Sequence, residues 1–334
     1  MNDSTHKQVF NSLNKYVEEG IPLDVEEGIP LVAILLCTFN GESFLAEQLD
    51  SLETQTYKNW IVIASDDGST DLTLQILKQY QVKWPSGKLT IRRGPQKGFC
   101  LNFLNLACDP KIKADFFAFC DQDDVWLPEK LMASIQIILA KQKEDQPFLY
   151  CGRTKYVTVD LKPCGESPKF VFPPSFRNAL VQSIAGGNTM VFNHAAKCLV
   201  EKPGPLNLPS HDWWVYILVS GHGGAIYYDS TSLILYRQHT KALVGGNTTL
   251  KARCLRCVMF LKGRLQNWNN QHCKSLVNNS YILSDENKYI LDWFTKLKFV
   301  TWYERIRILG VCGLYRQTRV GTFSLYVAAF LNKL

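Results

Sequence analysis

The sequence has no apolar run near the roughly 18 residues that a membrane-spanning helix requires. Its first stretch, MNDSTHKQVFNSLNK, is polar and lacks the hydrophobic core of a signal peptide. These two absences argue against an integral membrane protein and against a secreted one. We therefore expect a cytoplasmic protein, with any membrane contact peripheral and on the inner face of the cytoplasmic membrane.

Two further signatures are missing. No G-x-G-x-x-G follows the first predicted strand, which disfavours a Rossmann dehydrogenase. The 11 cysteines are odd in number and scattered, often inside apolar runs, so buried reduced thiols are expected rather than a disulfide framework. A hydrophobic content of 46% with 20% charged residues indicates a folded chain.

Acidic residues are scarce at the end of the chain. Residues 1–240 hold 22 Lys and Arg against 26 Asp and Glu, whereas residues 241–334 hold 15 against 4. The net charge of +7 therefore belongs to the tail, which suggests an anionic partner such as nucleic acid or a membrane face. Because no nucleic-acid-binding module is recognisable, we expect no nucleic-acid partner.

Strands and helical segments alternate from Leu31 onward, which predicts an α/β fold with a mostly parallel sheet and helices on both faces. Strands are predicted at 31–37, 60–65, 89–93, 116–120, 188–192, 225–229 and 232–236, and helices at 42–53, 71–80, 99–107, 128–141, 194–200 and from 211. Residues 147–174 are expected to be irregular. The expected divisions are a leader, 1–30, which holds most of a local VEEGIPL duplication, an α/β domain, 31–246, and a basic helical extension, 247–334.

The segment FFAFCDQDDVW places Asp121, Asp123 and Asp124 directly after a strand that is apolar enough to be central. Like charges so close raise one another's pKa unless a cation lies between them. Oxygen ligands without a nearby His or Cys favour Mg²⁺ or Mn²⁺, and such a metal commonly bridges to substrate phosphates. The segment therefore predicts a metal-assisted site for a phosphorylated ligand, although a solvated acidic turn is the simpler alternative.

A second acidic segment, SDDGSTD, ends the second strand with Asp66 and Asp67. A carboxylate there can accept hydrogen bonds from a pyrimidine N–H or a ribose hydroxyl. The alternative is an acidic turn whose Ser69 or Thr70 caps the next helix. The two acidic segments together are more specific than either one, because parallel strands end at the same sheet edge.

Several motifs follow one another over about residues 31–240. They are VAILLCTFNGESFLAEQLDSLETQTYKNWIVIASDDGSTDLT, GFCLNFLNL, FCDQDDVWLPEKL, GGNTMVFN, HDWW and LYRQH. In this order they resemble the inverting glycosyltransferases of family 2, which have the GT-A fold, and most of all their rhamnosyltransferase-like group that builds surface polysaccharides. The resemblance implies a nucleoside-diphosphate sugar donor, with Mg²⁺ or Mn²⁺ between its diphosphate and a D-x-D pair. It suggests rhamnose as the sugar and a lipid-linked glycan as the acceptor, with transfer in one inverting displacement.

The resemblance also implies roles for the acidic segments. Thr38 and Asn40 would lie beside the nucleotide, with Asp67 on its base. Asp121 and Asp123 match the D-x-D pair, with Asp123 as the direct metal ligand. Asp124 would then orient the donor sugar or support the residues that bind the metal.

The motif HDWW stands where the family has an E-D pair at the start of a helix, so the resemblance makes Asp212 the base that deprotonates the acceptor. The alternative is a carboxylate held by the helix dipole. The departure to His211 leaves that residue without an assigned role. Trp213 and Trp214 are expected to form the acceptor wall, since aromatic faces stack on sugars, although one of them could belong to the core.

Two later motifs add candidate donor contacts. In GGNTM, Gly187 allows a ligand to approach the backbone and Asn188 offers hydrogen bonds, although a tight turn is the simpler reading. In YRQH, Arg237 would approach the donor diphosphate and His239 the metal, as the resemblance implies. A structural role for a single histidine at this place is the alternative.

The tail motif CLRCVMFLKGRLQNW places Cys254, Cys257, Val258, Leu261, Leu265 and Trp268 on one face of a basic helix. Such a helix could lie on an anionic bilayer or pack on the catalytic domain. A zinc site of Cys254, Cys257, His272 and Cys273 is a weak further alternative.

Two other functions compete with glycosyl transfer. The segment FFAFCDQDDV also fits the opening motif of haloacid-dehalogenase-like phosphatases, in which the first Asp is a nucleophile. No second acidic motif of that kind follows Asp124, and three strand and helix units precede the segment. A non-catalytic glycan-binding scaffold is the other alternative, which the intact Asp121, Asp123 and Asp212 disfavour.

Overall fold

The computed structural model describes residues 28–239 and 264–334. The first part alternates strands and helices as the sequence predicts. Its elements are β1 Val32–Thr38, α1 Leu45–Glu53, β2 Trp60–Asp66, α2 Thr73–Lys83, β3 Leu89–Arg93, α3 Phe99–Ala107, β4 Phe116–Cys120, β5 Val125–Trp126 and α4 Lys130–Lys141. The remaining elements before the second gap are β6 Phe148–Val157, β7 Pro163–Glu166, α5 Phe176–Ala179, β8 Val191–Asn193, α6 His194–Glu201, α7 His211–His222 and β9 Ala225–Arg237.

Helices alone make up the regular structure described after residue 263. They are α8 Arg264–Asn278, α9 Asp285–Lys296, α10 Trp302–Cys312 and α11 Arg319–Phe330, with short 3₁₀ turns at Ser280–Ile282 and Leu297–Phe299. Within the two described ranges, no helix is long and apolar enough to cross a membrane. The predicted helical nature of the extension is confirmed for this part.

One mixed sheet forms the centre of the molecule. Its strand order is β3-β2-β1-β4-β8-β6-β9-β5, and β7 pairs with β6. The strands β3, β2, β1 and β4 are parallel, whereas β8 runs antiparallel to both β4 and β6. The predicted α/β class is confirmed, and the parallel half is the half built from strand and helix units.

Two predictions about the second half of the sheet are wrong. The segment expected to be irregular contains the ten-residue strand β6, which lies inside the sheet between β8 and β9. Only the first five residues of β6 form a continuous buried run. The second half contains the charged Arg153 and Lys155, so the sequence there does not show the apolar pattern of a strand. The two strands expected at 225–229 and 232–236 are one continuous strand, with register shifts against β6.

The sheet is covered on both faces, so its central strands are apolar throughout. Every residue of β1 is buried, and alternate side chains point to opposite faces. Val32 and Ile34 join the core beneath α1, α2 and α4, while Ala33 and Leu35 join the core beneath α3 and α7. This arrangement explains the continuous apolar runs of β1 and β4.

The carboxyl-terminal helices share the second of these cores. Leu276, Phe294, Leu309 and Leu325 belong to the same buried cluster as Trp214 of α7. At the same boundary, the Ser284 N–H donates to the carbonyl of residue 221 at 3.0 Å. The described part of the extension therefore packs on the α/β domain. Most of the predicted amphipathic helix, including Cys254 and Cys257, lies outside the described residues, as do most of the VEEGIPL duplication and the leader.

We predict that truncating the shared core destabilises the whole chain. Replacing the fully buried Leu309 by Ala should lower the free energy of unfolding by about 2–4 kcal/mol, because a cavity forms between α10 and the α/β core. Urea unfolding followed by circular dichroism measures the loss. Val311→Ala on the same helix is the control, since that side chain is 60% exposed and its loss should cost less than about 0.5 kcal/mol. Equal losses for the two variants would contradict a shared core.

Candidate active site

The predicted site residues come from strand ends at one edge of the sheet. In the parallel register, Thr38 lies beside Asp66, and Leu36 lies beside Cys120, the residue before Asp121. Ligands of α/β sheets bind at this carboxyl edge. The fold therefore gathers the two acidic segments, as the sequence predicts.

Asp66 and Asp67 organise the loops of the predicted nucleotide side. Asp66 Oδ1 accepts from Thr38 Oγ1 at 2.9 Å, and Asp66 Oδ2 accepts from the Ser69 N–H at 2.9 Å. Asp67 accepts from the N–H groups of Gln96 at 2.6 Å and Gly98 at 2.8 Å, which ties down the loop after β3. Each carboxylate oxygen keeps a second lone pair, so the assignment of Asp67 to a nucleotide base stays a prediction.

Asn40 is exposed and lies in the left-handed region, with φ 48°, a conformation that Asn tolerates better than most residues. Its N–H donates to Ser69 Oγ at 2.8 Å, and its Oδ1 accepts from the Thr70 N–H at 2.9 Å. Thr38 is buried, and its hydroxyl serves Asp66. The roles of Thr38 and Asn40 beside a nucleotide stay predictions. Their contacts show that both residues hold the loop after β2 in place.

Gln122 is a residue of this edge that sequence reasoning missed. Its Oε1 accepts from the Phe39 N–H at 2.8 Å, and its Nε2 donates to the Phe39 carbonyl at 3.0 Å. This side chain thus binds the loop after β1 to the acidic loop after β4. Its position inside DQDD was the available signal.

The three acids after β4 lie in different surroundings. Asp124 is fully buried and accepts from Asn188 Nδ2 and from the Arg237 N–H. Burial raises its pKa well above the usual value, and the charges of Asp123 and Asp121 add to the shift. Burial also raises the pKa of Asp121, followed by the charges of Asp123 and Asp212. The cluster therefore holds negative charge only at a cost in free energy.

Lys130 is a second residue that sequence reasoning missed, although it is the next-to-last residue of the quoted motif FCDQDDVWLPEKL. It is 1% exposed, with Nζ 3.4 Å from the ring centroid of Trp126. Burial lowers its pKa to about 7, against the nearby charges of Cys120 and Asp124. The cluster thus has a buried lysine close by, on the side of Asp124.

Asp123 and His239 form the contact that bears on a metal. His239 Nε2 lies 2.8 Å from Asp123 Oδ2, and both side chains are partly exposed. Among the described residues, no group of three or more His, Cys, Asp or Glu side chains is arranged to hold a metal ion. Mg²⁺ fits such a site, because it is usually bound by one or two carboxylates together with water and substrate phosphates. Asp121, Asp123 and His239 remain the predicted ligands.

The prediction for Arg237 requires a correction. Its guanidinium is 1% exposed and donates to the Asp123 carbonyl at 3.1 Å, to the Val159 carbonyl, and to Glu47 Oε2 at 2.5 Å. The side chain therefore has no free face for a donor diphosphate. It holds the acidic loop against α1, and Glu47 is a third residue that sequence reasoning missed.

Asp212 lies in the first turn of α7 and faces the acid cluster closely enough to raise the pKa of Asp121. Its Oδ2 accepts from the Gly187 N–H at 3.0 Å, and its Oδ1 accepts from the Trp213 N–H at 2.6 Å. Ser210 Oγ also donates to it, and the Ser210 side chain accepts no hydrogen bond from the backbone of α7. Burial raises the pKa of Asp212 to about 6, and the backbone donors oppose that shift. A carboxylate with this pKa is ionised at pH 7 and more basic than an ordinary aspartate.

The 3₁₀ turn Gly187–Thr189 joins the two parts of the site. Gly187 binds Asp212, and Asn188 binds Asp124. A Cβ at Gly187 would lie 2.3 Å from His211 Nε2, so the glycine makes room for this ring.

His211 is buried and stacks on Phe103 at 4.1 Å, and burial lowers its pKa to about 3. His211 is therefore a neutral core residue. The donor contacts predicted for Gly187 and Asn188 stay predictions, with both residues positioned to orient acids.

The structure does not support the prediction that Trp213 and Trp214 form an acceptor wall. Trp213 is 4% exposed and Trp214 is fully buried. Trp213 Nε1 donates to the Ala179 carbonyl at 2.6 Å, and its ring meets His272 edge-on at 4.7 Å. Both indoles therefore anchor α7 in the core. The same contacts place His272 among aromatic rings, and the Cys254 and Cys257 half of the zinc alternative lies outside the described residues.

This fold, with carboxylates grouped at the carboxyl edge of the parallel strands, defines an α/β transferase of the GT-A class. The family model "Glycosyl transferase family 2" matches residues 33–196. Residues 33–196 therefore form a glycosyltransferase family 2 domain, which confirms the resemblance drawn from the motifs.

Similar proteins include the dTDP-rhamnosyl transferase RfbG of Shigella flexneri, which is 27% identical over 240 residues, or 65% of this chain and 76% of that protein. An uncharacterized glycosyltransferase of Rickettsia typhi is 28% identical over 224 residues, and the match spans 64% of its length. The crystal structure of S. aureus TarS 1-349 in complex with UDP-GlcNAc superposes with a TM-score of 0.50 at 18% identity, covering 90% of each chain. That similarity supports the fold.

The raised pKa values predict how pH and a metal affect stability. A carboxyl whose folded-state pKa exceeds its unfolded value of about 3.9 binds more protons when folded. Stability should therefore fall as pH rises from about 4 through the folded pKa, which for Asp212 is about 6. Mg²⁺ or Mn²⁺ should offset this loss by replacing protons, so the metal should raise Tm more at pH 8 than at pH 5.

Differential scanning fluorimetry with a nucleoside diphosphate present measures this metal effect. Asp123→Asn should remove most of the metal-dependent rise in Tm at pH 8. Asp285→Asn, at a 97% exposed side chain, is the control and should keep it. A metal effect that is equal at both pH values, or that survives in Asp123→Asn, would contradict this assignment.

Proposed function

We propose that this protein transfers a sugar from a nucleoside-diphosphate donor to a hydroxyl group of a glycan, in one displacement that inverts the anomeric configuration. The observation that carries the proposal is the position of Asp212 opposite Asp121. One carboxylate belongs to a helix start and the other to a strand end. Burial raises the pKa of both, and the charge of Asp212 adds to the rise at Asp121. A base and a diphosphate-binding edge would thus face one another across the place where a donor would lie.

In this mechanism Asp212 removes the proton of the acceptor hydroxyl as the hydroxyl oxygen attacks the anomeric carbon. The N–H groups of Gly187 and Trp213 fix the two carboxylate oxygens, so the base is oriented before the substrate arrives. Asp124, which is fully buried and held by Asn188 and the Arg237 backbone, would act from behind the donor sugar by positioning Asn188. Asp67, Thr38 and Asn40 would bound the nucleotide side.

A divalent cation, Mg²⁺ or Mn²⁺, would be held by Asp121 and Asp123, with His239 beside them. When bound, it would neutralise the diphosphate and stabilise the charge that develops on the leaving group. Asp123 and His239 are already in contact, which supports Asp123 as the direct ligand.

The donor and acceptor are proposed from similarity and charge. The named activity of the similar Shigella flexneri protein favours rhamnose delivered from dTDP-rhamnose. The excess of basic residues after position 240 favours an acceptor on an anionic surface, such as a lipid-linked glycan. The phosphatase alternative is not favoured, because the matched family is a glycosyltransferase family.

A donor panel tests the proposed function. The purified chain is incubated with dTDP-rhamnose, UDP-glucose, UDP-GlcNAc or GDP-mannose, with Mn²⁺ or with EDTA, and released nucleoside diphosphate is measured. We expect release with one donor class, fastest for dTDP-rhamnose, and loss of release in EDTA. Release of inorganic phosphate from simple phosphomonoesters, without turnover of any nucleotide sugar, would contradict the proposal and favour the phosphatase.

Asp212→Asn tests the base. The amide keeps the size of the side chain and cannot take a proton, so we expect kcat to fall about 10²- to 10⁴-fold. Nucleotide affinity should stay within about twofold, because in this proposal Asp212 would contact the acceptor and not the nucleotide. Steady-state kinetics and calorimetric titration of the nucleoside diphosphate measure both quantities. Asp285→Asn is the exposed control and should change neither. Unchanged turnover would contradict the role of Asp212 as the base. Weaker nucleotide binding together with a lower Tm would also contradict it, and Asp212 would then be a structural carboxylate that stabilises the helix start.

A further inference from the structure

The last helix of the chain, α11, is apolar on two opposite faces. Leu325, Ala328 and Ala329 are buried against the neighbouring helices. The opposite face carries Val320, Phe323, Val327 and Phe330, which are 78%, 70%, 38% and 53% exposed. Their spacing of three, four and three residues places them on one line along the helix. We call these four side chains the apolar stripe.

The stripe continues onto the start of α10. Trp302 is 56% exposed, and its ring lies 5.5 Å from that of Phe330 in an edge-to-face contact. Arg305 of the same helix donates to the Ala329 carbonyl at 3.2 Å, which fixes this end of α11 against α10. No residue in the described part of the chain covers these rings. A large exposed apolar patch of this kind is typical of a docking surface.

The charge around the stripe indicates what covers it. Residues 296–334 hold 7 Lys and Arg against one acid, Glu304. Basic residues stand at both ends of α11, with Arg316 and Arg319 at its start and Lys333 after its end. A second copy of the chain would bring two such cationic surfaces together, and the like charges would repel. An anionic surface would instead be attracted.

We infer that the apolar stripe, with Trp302, is the surface by which this protein lies on an anionic lipid bilayer. The 12-residue helix is about 18 Å long, too short to cross a hydrocarbon core of about 30 Å, so it lies in the interfacial plane. Phe and Trp side chains enter the boundary of head groups and acyl chains, and the basic residues meet the lipid phosphates. This surface would bring the enzyme to the membrane that holds the proposed lipid-linked acceptor. The inference rests on the proposed function only for this reason to bind a membrane.

Co-sedimentation with sucrose-loaded vesicles tests the inference. The full chain is mixed with phosphatidylcholine vesicles that contain or lack phosphatidylglycerol. We expect binding to the anionic vesicles, weakened by added salt, and little binding to the neutral ones. Phe323→Ser with Phe330→Ser should lower the partition coefficient at least about tenfold, because two apolar side chains leave the interface.

Val82→Ser is the matched control. Val82 is 87% exposed on α2, outside the stripe, and its replacement should leave vesicle binding unchanged. Equal binding of the stripe variant and the unmodified chain, or no binding of the unmodified chain to anionic vesicles, would overturn the inference. A dimer in light scattering that the stripe variant converts to monomers would also overturn it, in favour of a second copy.

Donor turnover, measured on the same samples without vesicles, separates this inference from the proposed function. The stripe variant should release nucleoside diphosphate at the rate of the unmodified chain, since the stripe takes no part in the site. Vesicle binding without turnover of any donor would leave the surface assignment standing and remove the proposed function. Turnover of a donor without vesicle binding would support the proposed function and overturn the assignment of the membrane surface.

Discussion

The repulsion among the buried carboxylates is the constraint on which the rest of the site depends. Asp121, Asp123 and Asp124 lie within four consecutive positions in the loop after β4, and Asp212 approaches them from the start of α7. Burial removes the water that would otherwise screen these charges, so the pKa values of Asp121, Asp124 and Asp212 rise. The protein keeps them in place by giving almost every carboxylate a specific donor. Asn188 holds Asp124, Gly187 holds Asp212, and His239 meets Asp123. A divalent cation and the donor diphosphate would complete this balance of charge.

The parts of the protein far from the edge serve the same arrangement. Trp213 and Trp214 anchor the helix that presents Asp212, and the carboxyl-terminal helices pack against that helix from behind. Arg237 ties the acidic loop to α1 through Glu47. The extension therefore contributes to the catalytic domain through its buried face, while its opposite face remains available to a membrane.

Sequence patterns predicted the bounds of strands and helices correctly where the pattern lay within one short segment. The strands β3 and β4 and the helix α3 have the predicted bounds; β4 is an uninterrupted apolar run, and α3 begins directly after Gly98. The acidic segments and the gathering of Thr38, Asp66 and Asp121 at one edge also follow from the order of the parallel strands. By contrast, β6 carries Arg153 and Lys155 in its second half, and its place inside the sheet depends on β8 and β9, which come later in the chain.

The sequence by itself determined the class of fold, the family and the set of acids, since these depend on residue types in a fixed order along the chain. Only the tertiary structure decided which way individual side chains point. Packing buries Trp213, Trp214 and Arg237, and it leaves the apolar stripe of α11 exposed. It also brings the His211 ring so close to Gly187 that a side chain at that position would collide with it. The physical reason is that an aromatic or an arginine side chain can bind a ligand or fill a core equally well, and only the packing of distant segments determines which of the two it does.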